Sequence, residues 1–328
     1  MESPICLIEH TAKGKFEVNP EALNILSKIQ QPVVVVAIVG SYGTGKSYLM
    51  NKLAGTQRGF KLGSPIQSMT KGVWMWCVPH PIKEKQTLIL LDTEGLGDVE
   101  KRDYQHNIRI FTLAVLLSST LVYNSKVSCD PHALDKLKFA AGISEIIKDR
   151  ELSKHFPDFF WAVRDCDVDL KVDGRSVSEG EYLNSVLNPT EPERTSEDVE
   201  YNNLRKRLWK NFKSWKCFVF GLPAANVEHL HGLDETPEGK LNPTFVAQCQ
   251  RFRDHVVLNV KPKLIQKKDE VSGQRLGELA KMYTEAINSS NSICVEEVVM
   301  SLSEKENNMA LQEATQYYEE KMKEAMLS

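Results

Sequence analysis

The chain has 328 residues, of which 41% are hydrophobic and 26% are charged, as in a soluble globular protein with a large buried core. A formal net charge of −3 excludes a protein-wide basic surface, so we expect no nucleic-acid partner. Seven cysteines without a C-x-x-C pair favour reduced thiols and a cytoplasmic location. The longest apolar run, Phe111 to Tyr123, is too short to cross a bilayer, so we also expect no membrane anchor in this chain.

The first predicted elements in chain order are a short strand, Ile5 to Ile8, and a helix that begins at Asn19-Pro20-Glu21. Asparagine is a good N-cap, proline is tolerated in the first helical turn, and glutamate favours the positive end of the helix dipole. Apolar residues then recur at helical spacing, so one face of this helix should pack against a sheet.

A glycine-rich segment comes next. Its sequence is Gly40-Ser41-Tyr42-Gly43-Thr44-Gly45-Lys46-Ser47. It follows a run of β-formers, Val33 to Val39, and precedes a predicted helix, Tyr48 to Ala54. A strand, the pattern G-x-x-x-x-G-K-S and a helix in this order make a P-loop.

The chemistry of phosphate binding explains this spacing. Glycines let backbone N–H groups turn toward phosphate oxygens, and the helix that follows adds its positive end. Lys46 can then reach the β- and γ-phosphates, and the Ser47 hydroxyl can hold Mg²⁺. We therefore predict a nucleoside triphosphate site formed by residues Gly40 to Tyr48.

A polar loop, Thr56 to Lys71, separates the P-loop unit from two further strands. The first predicted strand is Gly72 to Val78. The second, Thr87 to Leu91, is a continuous apolar run, which is typical of a strand buried on both faces.

The second of these strands ends in Asp92-Thr93-Glu94-Gly95, which matches the D-x-x-G pattern. The sequence predicts that Asp92 helps to hold Mg²⁺ and that Gly95 senses the γ-phosphate. Thr70, at the end of the polar loop, can close over both groups with its hydroxyl or carbonyl. A strand-ending D-x-x-G alone is a common turn, and its position after a P-loop gives it this meaning.

Three later apolar runs predict more strands: Leu121 to Tyr123, Phe159 to Val163 and Cys217 to Phe220. They alternate with segments of helical spacing, which predicts the doubly wound, mostly parallel α/β sheet of a P-loop NTPase. Ligands in that architecture bind at the carboxyl ends of strands. From about Val271 the spacing becomes helical throughout, so we predict a nucleotide-binding domain over residues 1–270 and a helical linker with the start of a helical domain over 271–328.

The residues that read the base are less obvious, because N-K-x-D does not occur at a suitable position. Arg164 and Asp165 follow a predicted strand instead. A carboxylate at Asp165 could accept from both N1–H and the 2-amino group of guanine, which adenine could not match. The alternatives are a surface Arg–Asp ion pair and an ATP-using P-loop enzyme.

Four motifs together resemble the guanylate-binding proteins, large GTPases of the dynamin superfamily related to atlastins. They are G-x-x-x-T-G-K-S-Y-L-M-N, T-K-G-x-W-M-W, L-L-D-T-E-G-L-G-D and V-R-D. The resemblance runs from about Ile5 to Phe220 and more loosely to Ser328. It implies that Lys46 and Ser47 handle phosphate and Mg²⁺, that Thr70 closes the first switch, and that Asp165 reads guanine.

The resemblance also implies an activity. Ser68 and Glu94 match positions that help to orient the attacking water, and Arg164 with Asp165 matches the family's R-D motif. The family implies GTP hydrolysis with Mg²⁺, nucleotide-dependent homodimers joined across their nucleotide faces, and a role in interferon-type innate immune defence.

One residue departs from the family pattern. Many guanylate-binding proteins carry a P-loop arginine where this chain has Gly43, and an arginine finger is worth roughly 10³ to 10⁵ in rate, or about 4 to 7 kcal/mol of barrier. Arg58, Lys61, Lys71 or a partner are candidate replacements. Two hypotheses therefore stand: a GTPase that dimerises, and a GTP-binding assembly module that hydrolyses slowly or not at all.

Overall fold

The computed structural model describes most of the chain. The described residues are 1–12, 14–62, 70–96, 104–126, 137–148, 154–166, 170–172, 174–189, 191–212, 214–224, 233, 235–265, 269–290 and 292–327. The strands are β1 (Ile5–His10), β2 (Phe16–Val18), β3 (Val33–Gly40), β4 (Val73–Pro79), β5 (Thr87–Thr93), β6 (Thr120–Lys126), β7 (Asp158–Arg164), β8 (Lys171–Val172), β9 (Arg175–Ser176), β10 (Trp215–Val219), β11 (Leu264–Ile265) and β12 (Asp269–Glu270).

Helices cover both faces of the main sheet. They are α1 (Pro20–Ser27), α2 (Lys46–Ala54), α3 (Tyr104–Leu117), α4 (Lys138–Ile146), α5 (Glu179–Leu187), α6 (Ser196–Asn211), α7 (Pro243–Asn259), α8 (Gly273–Ser290) and α9 (Val295–Leu327). Among the described residues, no helix combines the length and the apolar character needed to cross a membrane.

The main sheet has eight strands in the order β10-β7-β6-β3-β5-β4-β1-β2. The five strands from β10 to β5 are parallel, and β4, β1 and β2 extend the sheet by antiparallel pairing. The prediction of a doubly wound, mostly parallel α/β sheet followed by helices is therefore confirmed. Strand β4 pairs antiparallel, yet its sequence is apolar like those of the parallel strands because it too is largely buried.

Strand β3 lies at the centre, and all eight of its residues are buried. Alternate side chains enter two cores, as the two-residue period of a strand requires. Val35, Ala37 and Val39 pack in the core that contains α3 and α8, whereas Val36 and Ile38 pack with α2 and α7. Helices α2 and α3 thus lie on opposite faces of the sheet.

The start of α1 follows the sequence prediction. Asn19 accepts from the Glu21 backbone N–H over 2.9 Å, and Pro20 occupies the first helical turn. Helix α8 packs against α1, α3 and β2, so the helical region is joined to the sheet near the hairpin of β1 and β2. Helix α9 is exposed beyond residue 306 as far as its side chains are described.

Candidate nucleotide-binding site

The P-loop connects the end of β3 to the start of α2, and its conformation depends on glycine. Gly40 has φ +151°, and a Cβ built on it would lie 2.0 Å from the carbonyl oxygen of Asn124 on the next strand. Gly45 caps α2 in the left-handed region at φ +81°. The Asn124 amide donates to the Thr44 carbonyl over 2.9 Å, so β6 anchors the loop. Asn124 is a site residue that no sequence motif predicts, although it stands at the carboxyl end of a predicted strand.

Lys46 crosses its own loop. Its ammonium donates to the carbonyl of Ser41 over 3.1 Å, and the Thr44 hydroxyl donates to the same oxygen over 2.8 Å. The lysine side chain is buried, although lysines rarely are. A buried cation at the N-terminus of α2 produces a strongly positive site suited to phosphate.

Three oxygen-bearing side chains converge beside the lysine. The Ser47 hydroxyl donates to Asp92 Oδ2 over 2.6 Å, and the Thr70 hydroxyl reaches the same oxygen over 3.4 Å. Asp92 is 0% exposed, and its other oxygen, Oδ1, has no hydrogen-bond partner among the described residues. Hydroxyl and carboxylate oxygens are the ligands of Mg²⁺. These residues therefore fit the ion, and Ser47, Thr70 and Asp92 are the residues that would hold it.

The electrostatics of Asp92 agree with that fit. Burial raises the pKa of its carboxyl to about 6, although the charge of Lys46 and the hydroxyls of Ser47 and Thr70 act in the opposite direction. A buried carboxylate with one unpartnered oxygen is unfavourable unless a cation compensates it.

The next predicted residue, Glu94, points away from this cluster. Its Oε2 accepts from the backbone N–H of Gly72 over 2.8 Å, and its Oε1 is hydrogen-bonded to Nε2 of His106 on α3. The Glu94 N–H also donates to the Gly72 carbonyl over 3.0 Å. The two segments predicted to act as switches are thus joined to each other and to α3. Ser68, the other residue predicted to orient water, lies outside the described residues.

The segment after β5 also touches the P-loop directly. Leu96 N–H donates to the Gly40 carbonyl over 2.9 Å. A Cβ on Gly95 would lie 2.7 Å from the Cα of Tyr42, so only glycine fits this close approach. Movement of the P-loop backbone at Tyr42 must therefore also displace Gly95.

The side chains of Arg164 and Asp165 lie in different environments at the end of β7. Arg164 is 3% exposed, so it does not form the surface ion pair that the sequence left open. Its guanidinium carbon lies 5.1 Å from the ring centre of Phe220 and 5.6 Å from that of Phe245. Burial lowers the pKa of Arg164, and its Nε and Nη1 have no hydrogen-bond partner among the described residues.

Asp165 takes the more open position. It has φ +58°, a conformation in which aspartate is one of the few tolerated side chains, and this turns the chain at the strand end. Its Oδ2 lies 3.3 Å from the Lys126 ammonium, which is 59% exposed. The carboxylate is thus held at the rim of the sheet by a weak, solvent-exposed ion pair.

The three cations considered as substitutes for a P-loop arginine are exposed. Arg58 lies 3.8 Å from Glu235 on the surface, and Lys61 and Lys71 are also exposed. The structure therefore brings the P-loop, Thr70 and Asp92 together, and it leaves these three cations at the surface.

Comparison with models of protein families shows the family to which this chain belongs. The model of the guanylate-binding protein N-terminal domain matches residues 13–263, and that of the C-terminal domain matches residues 268–328. The chain belongs to the guanylate-binding protein family. The resemblance predicted from the four sequence motifs is thereby confirmed.

Individual relatives agree. Guanylate-binding protein 3 of Mus musculus is 44% identical over 339 residues, which cover 99% of this chain and 54% of the relative. Guanylate-binding protein 3 of Homo sapiens is 45% identical over 98% of this chain and 56% of its own length. The chain thus spans about half the length of these relatives.

Among solved structures, a dimerization-deficient mutant of Toc33 from Arabidopsis thaliana is similar, with a TM-score of 0.41 and 16% sequence identity. The similarity covers 74% of this chain and 91% of that one.

Proposed function

We propose that this guanylate-binding protein is a GTPase that binds GTP and GDP at its P-loop and hydrolyses GTP with Mg²⁺. The observation that carries the proposal is the convergence of the Ser47 and Thr70 hydroxyls on one oxygen of the buried Asp92 carboxylate, near the charge of Lys46. Family membership supports the same activity. Mg²⁺ bound there would neutralise charge on the β- and γ-phosphates.

The chain's own groups would act on the phosphates in two ways. The backbone N–H groups of the P-loop and the N-terminus of α2 would bind phosphate oxygens. The Lys46 ammonium would exchange the Ser41 carbonyl for a phosphate oxygen, which is a stronger, charge-assisted acceptor. Both interactions strengthen as the phosphoryl group leaves, so they lower the barrier.

Ser68 and Glu94 are proposed to orient the attacking water. Glu94 is bound to Gly72 and His106, so it would have to leave both partners in order to reach that water. Hydrolysis would therefore include a rearrangement of the segment after β5. Gly95, the next residue, would move with Glu94, and its close approach to Tyr42 would transmit this movement to the P-loop.

Asp165 is proposed to select guanine, since a carboxylate accepts from N1–H and the 2-amino group together. Arg164, buried under the same strand end, keeps a cation beside Gly45, with its Nη2 3.4 Å from the position of a Cβ there. The base and the phosphates would then be held by residues from adjoining elements.

The remaining parts of the proposal concern the whole protein. We propose a GTPase domain over residues 1–270 and the start of a helical domain over 271–328, and nucleotide-dependent homodimers formed through the nucleotide face. We also propose a cytoplasmic protein of interferon-type innate immune defence, without a nucleic-acid partner. Family membership and the balanced charge support these statements.

A second candidate function rests on Gly43. Its Cβ position has no atom within 4 Å, and no side chain extends from it toward the phosphates. A GTP-binding assembly module with slow or no hydrolysis would match that observation.

Calorimetric titration with GTP, GDP, a non-hydrolysable GTP analogue and ATP, each with Mg²⁺, tests the proposal. We expect heat with the three guanine nucleotides and none with ATP, and its loss in Lys46→Ala. Product analysis then distinguishes GDP, GMP and no product. Absence of heat with every guanine nucleotide would refute the proposal, whereas binding without product would favour the assembly module.

A further inference from the structure

Outside the residues that would bind phosphate, the structure buries one acidic side chain of the proposed site, that of Glu94. It is 2% exposed, and both of its carboxylate oxygens are hydrogen-bonded, one to the Gly72 N–H and one to the imidazole of His106. An ionised carboxylate is stable in a protein interior only when it has such partners. The structure thus provides a specific buried position for this side chain.

That position faces α3 and not α2, the helix that follows the P-loop. His106 belongs to α3, which packs on one face, whereas Ser47 and the P-loop helix α2 lie on the other. Asp92 points to the α2 side, where it meets Ser47. Glu94 is therefore held toward α3 and away from the oxygens that would hold Mg²⁺.

The imidazole ring of His106 is itself held in place by two neighbouring rings. Its ring lies 4.4 Å from that of His10 and is stacked on Phe16 at 5.4 Å, both from the β1–β2 hairpin. The backbone of Phe16 is held by the side-chain amide of Asn288 on α8, which donates to its carbonyl over 2.7 Å and accepts from its N–H over 3.0 Å. The imidazole thus cannot follow Glu94 without disturbing the hairpin.

We propose that His106 is a positioning residue that retains Glu94 in its buried site, so that release from His106 limits the formation of the hydrolytic arrangement. The inference rests on the proposed GTPase function and deepens it. Substitutions that remove the His106 donor accelerate the chemical step, because they destabilise the retained position of Glu94 and leave the nucleotide contacts unchanged. His106 acts only through Glu94, and none of its hydrogen-bond or ring partners among the described residues belongs to the P-loop.

Two substitutions separate this role from simple packing. His106→Phe keeps an aromatic ring against His10 and Phe16 and loses the hydrogen bond. His106→Gln keeps a donor at about the reach of Nε2. A matched control is His255→Phe on α7, since His255 also packs between aromatic rings, 5.4 Å from both Phe160 and Phe218, on the opposite face.

The experiment measures two quantities on the whole chain: the Kd of a non-hydrolysable GTP analogue, and the single-turnover rate with protein in excess over GTP. A hydrogen bond to a charged group supports an effect on the order of tenfold. For His106→Phe we therefore expect a rate about tenfold above wild type with Kd within about twofold. His106→Gln should return most of the way to wild type, and His255→Phe should not differ from it.

Glu94→Gln completes a double-mutant cycle. It should slow turnover, and adding His106→Phe to it should leave that slower rate unchanged. If Glu94→Gln slows turnover while His106→Phe does not raise the rate, or raises it equally without Glu94, the inference is wrong and the proposed GTPase stands. If wild type binds no GTP or forms no product, the GTPase proposal itself fails.

Discussion

Ser47 and Asp92 form a 2.6 Å hydrogen bond that satisfies only one oxygen of a completely buried carboxylate. The second oxygen of Asp92 has no hydrogen-bond partner in the part of the chain that the structure describes, and burial raises the pKa of the carboxyl to about 6. The site is therefore built at a cost in stability, as expected of residues arranged for a ligand.

Replacing Asp92 by Asn should stabilise the protein in buffer without Mg²⁺ or nucleotide, since the amide can still accept from Ser47 and carries no charge. The pKa of Asp92 is higher in the folded than in the unfolded state, so its ionisation disfavours folding increasingly from about pH 4 to pH 6 and fully above pH 6. At pH 7.5 we expect the free energy of unfolding to rise by about 1 to 3 kcal/mol, while GTP affinity with Mg²⁺ falls at least about tenfold. Urea denaturation and calorimetry measure the two effects, with exposed Asp254→Asn as the control. A less stable Asp92→Asn protein would contradict this account.

Asp165→Asn should change base preference without disturbing the turn, because asparagine also tolerates the φ of +58° found there. The amide can accept from only one guanine donor, whereas it can both accept from and donate to xanthine. We expect GTP affinity to fall by on the order of tenfold or more and xanthosine triphosphate to become the better ligand. Competition titrations measure this preference, and Lys126→Ala serves as the control because the exposed ion pair is weak. Unchanged GTP affinity would remove Asp165 from the base site.

Gly43→Arg tests whether a missing arginine limits hydrolysis. Gly43 has φ +68° with open space at its Cβ position, so a side chain fits there at a backbone cost of about 1 kcal/mol. Gly43→Ala carries the same backbone cost without the charge and is the matched control. We expect Gly43→Arg to raise the single-turnover rate by on the order of tenfold or more over Gly43→Ala. Equal rates in the two variants would show that another group already supplies the charge.

Much of the fold could be predicted because the central strands carry local signals. Continuous apolar runs predicted β3 and β5, and the polar residues that follow them marked the ligand edge of the sheet. Helix α3 was not predicted, because nearly all of its residues from His106 onward are buried and no polar face reveals its period. Glu94 shows the same limit in the site: its motif was visible, but its partner His106 depends on how α3 packs against β1 and β2.

Asn288→Ala tests how firmly the helical region holds the β1–β2 hairpin. The amide satisfies both the N–H and the carbonyl of Phe16, and its removal leaves two partly buried backbone groups without this partner. We expect the free energy of unfolding to fall by about 1 to 3 kcal/mol. Asn288→Asp keeps the acceptor and should lose less, and exposed Asn308→Ala should be neutral. Thermal unfolding of the three variants decides, and equal values for Asn288→Ala and Asn308→Ala would contradict the role.

Lys263 should make stability depend on pH. Its side chain is buried, its ammonium donates to the Ser118 carbonyl over 2.8 Å, and burial lowers its pKa to about 7. Between pH 7 and about 10.5 the unfolded chain binds more protons at this residue than the folded chain, so this contribution to stability rises with pH. Lys263→Met removes it.

The direction in which the stability difference between Lys263→Met and wild type changes with pH is therefore fixed. The stability of Lys263→Met relative to wild type should be most favourable below pH 7 and should decline by about 1 to 3 kcal/mol between pH 7 and pH 9. Taking the difference cancels the buried thiols of Cys77 and Cys217, whose raised pKa values act in the opposite direction above pH 8. Urea denaturation at pH 6, 7, 8 and 9 measures it, with exposed Lys281→Met as the control. A constant difference across this range would show that the Lys263 ammonium keeps its charge in the folded protein, held by the carbonyl of Ser118 at the point where α3 meets the start of β6.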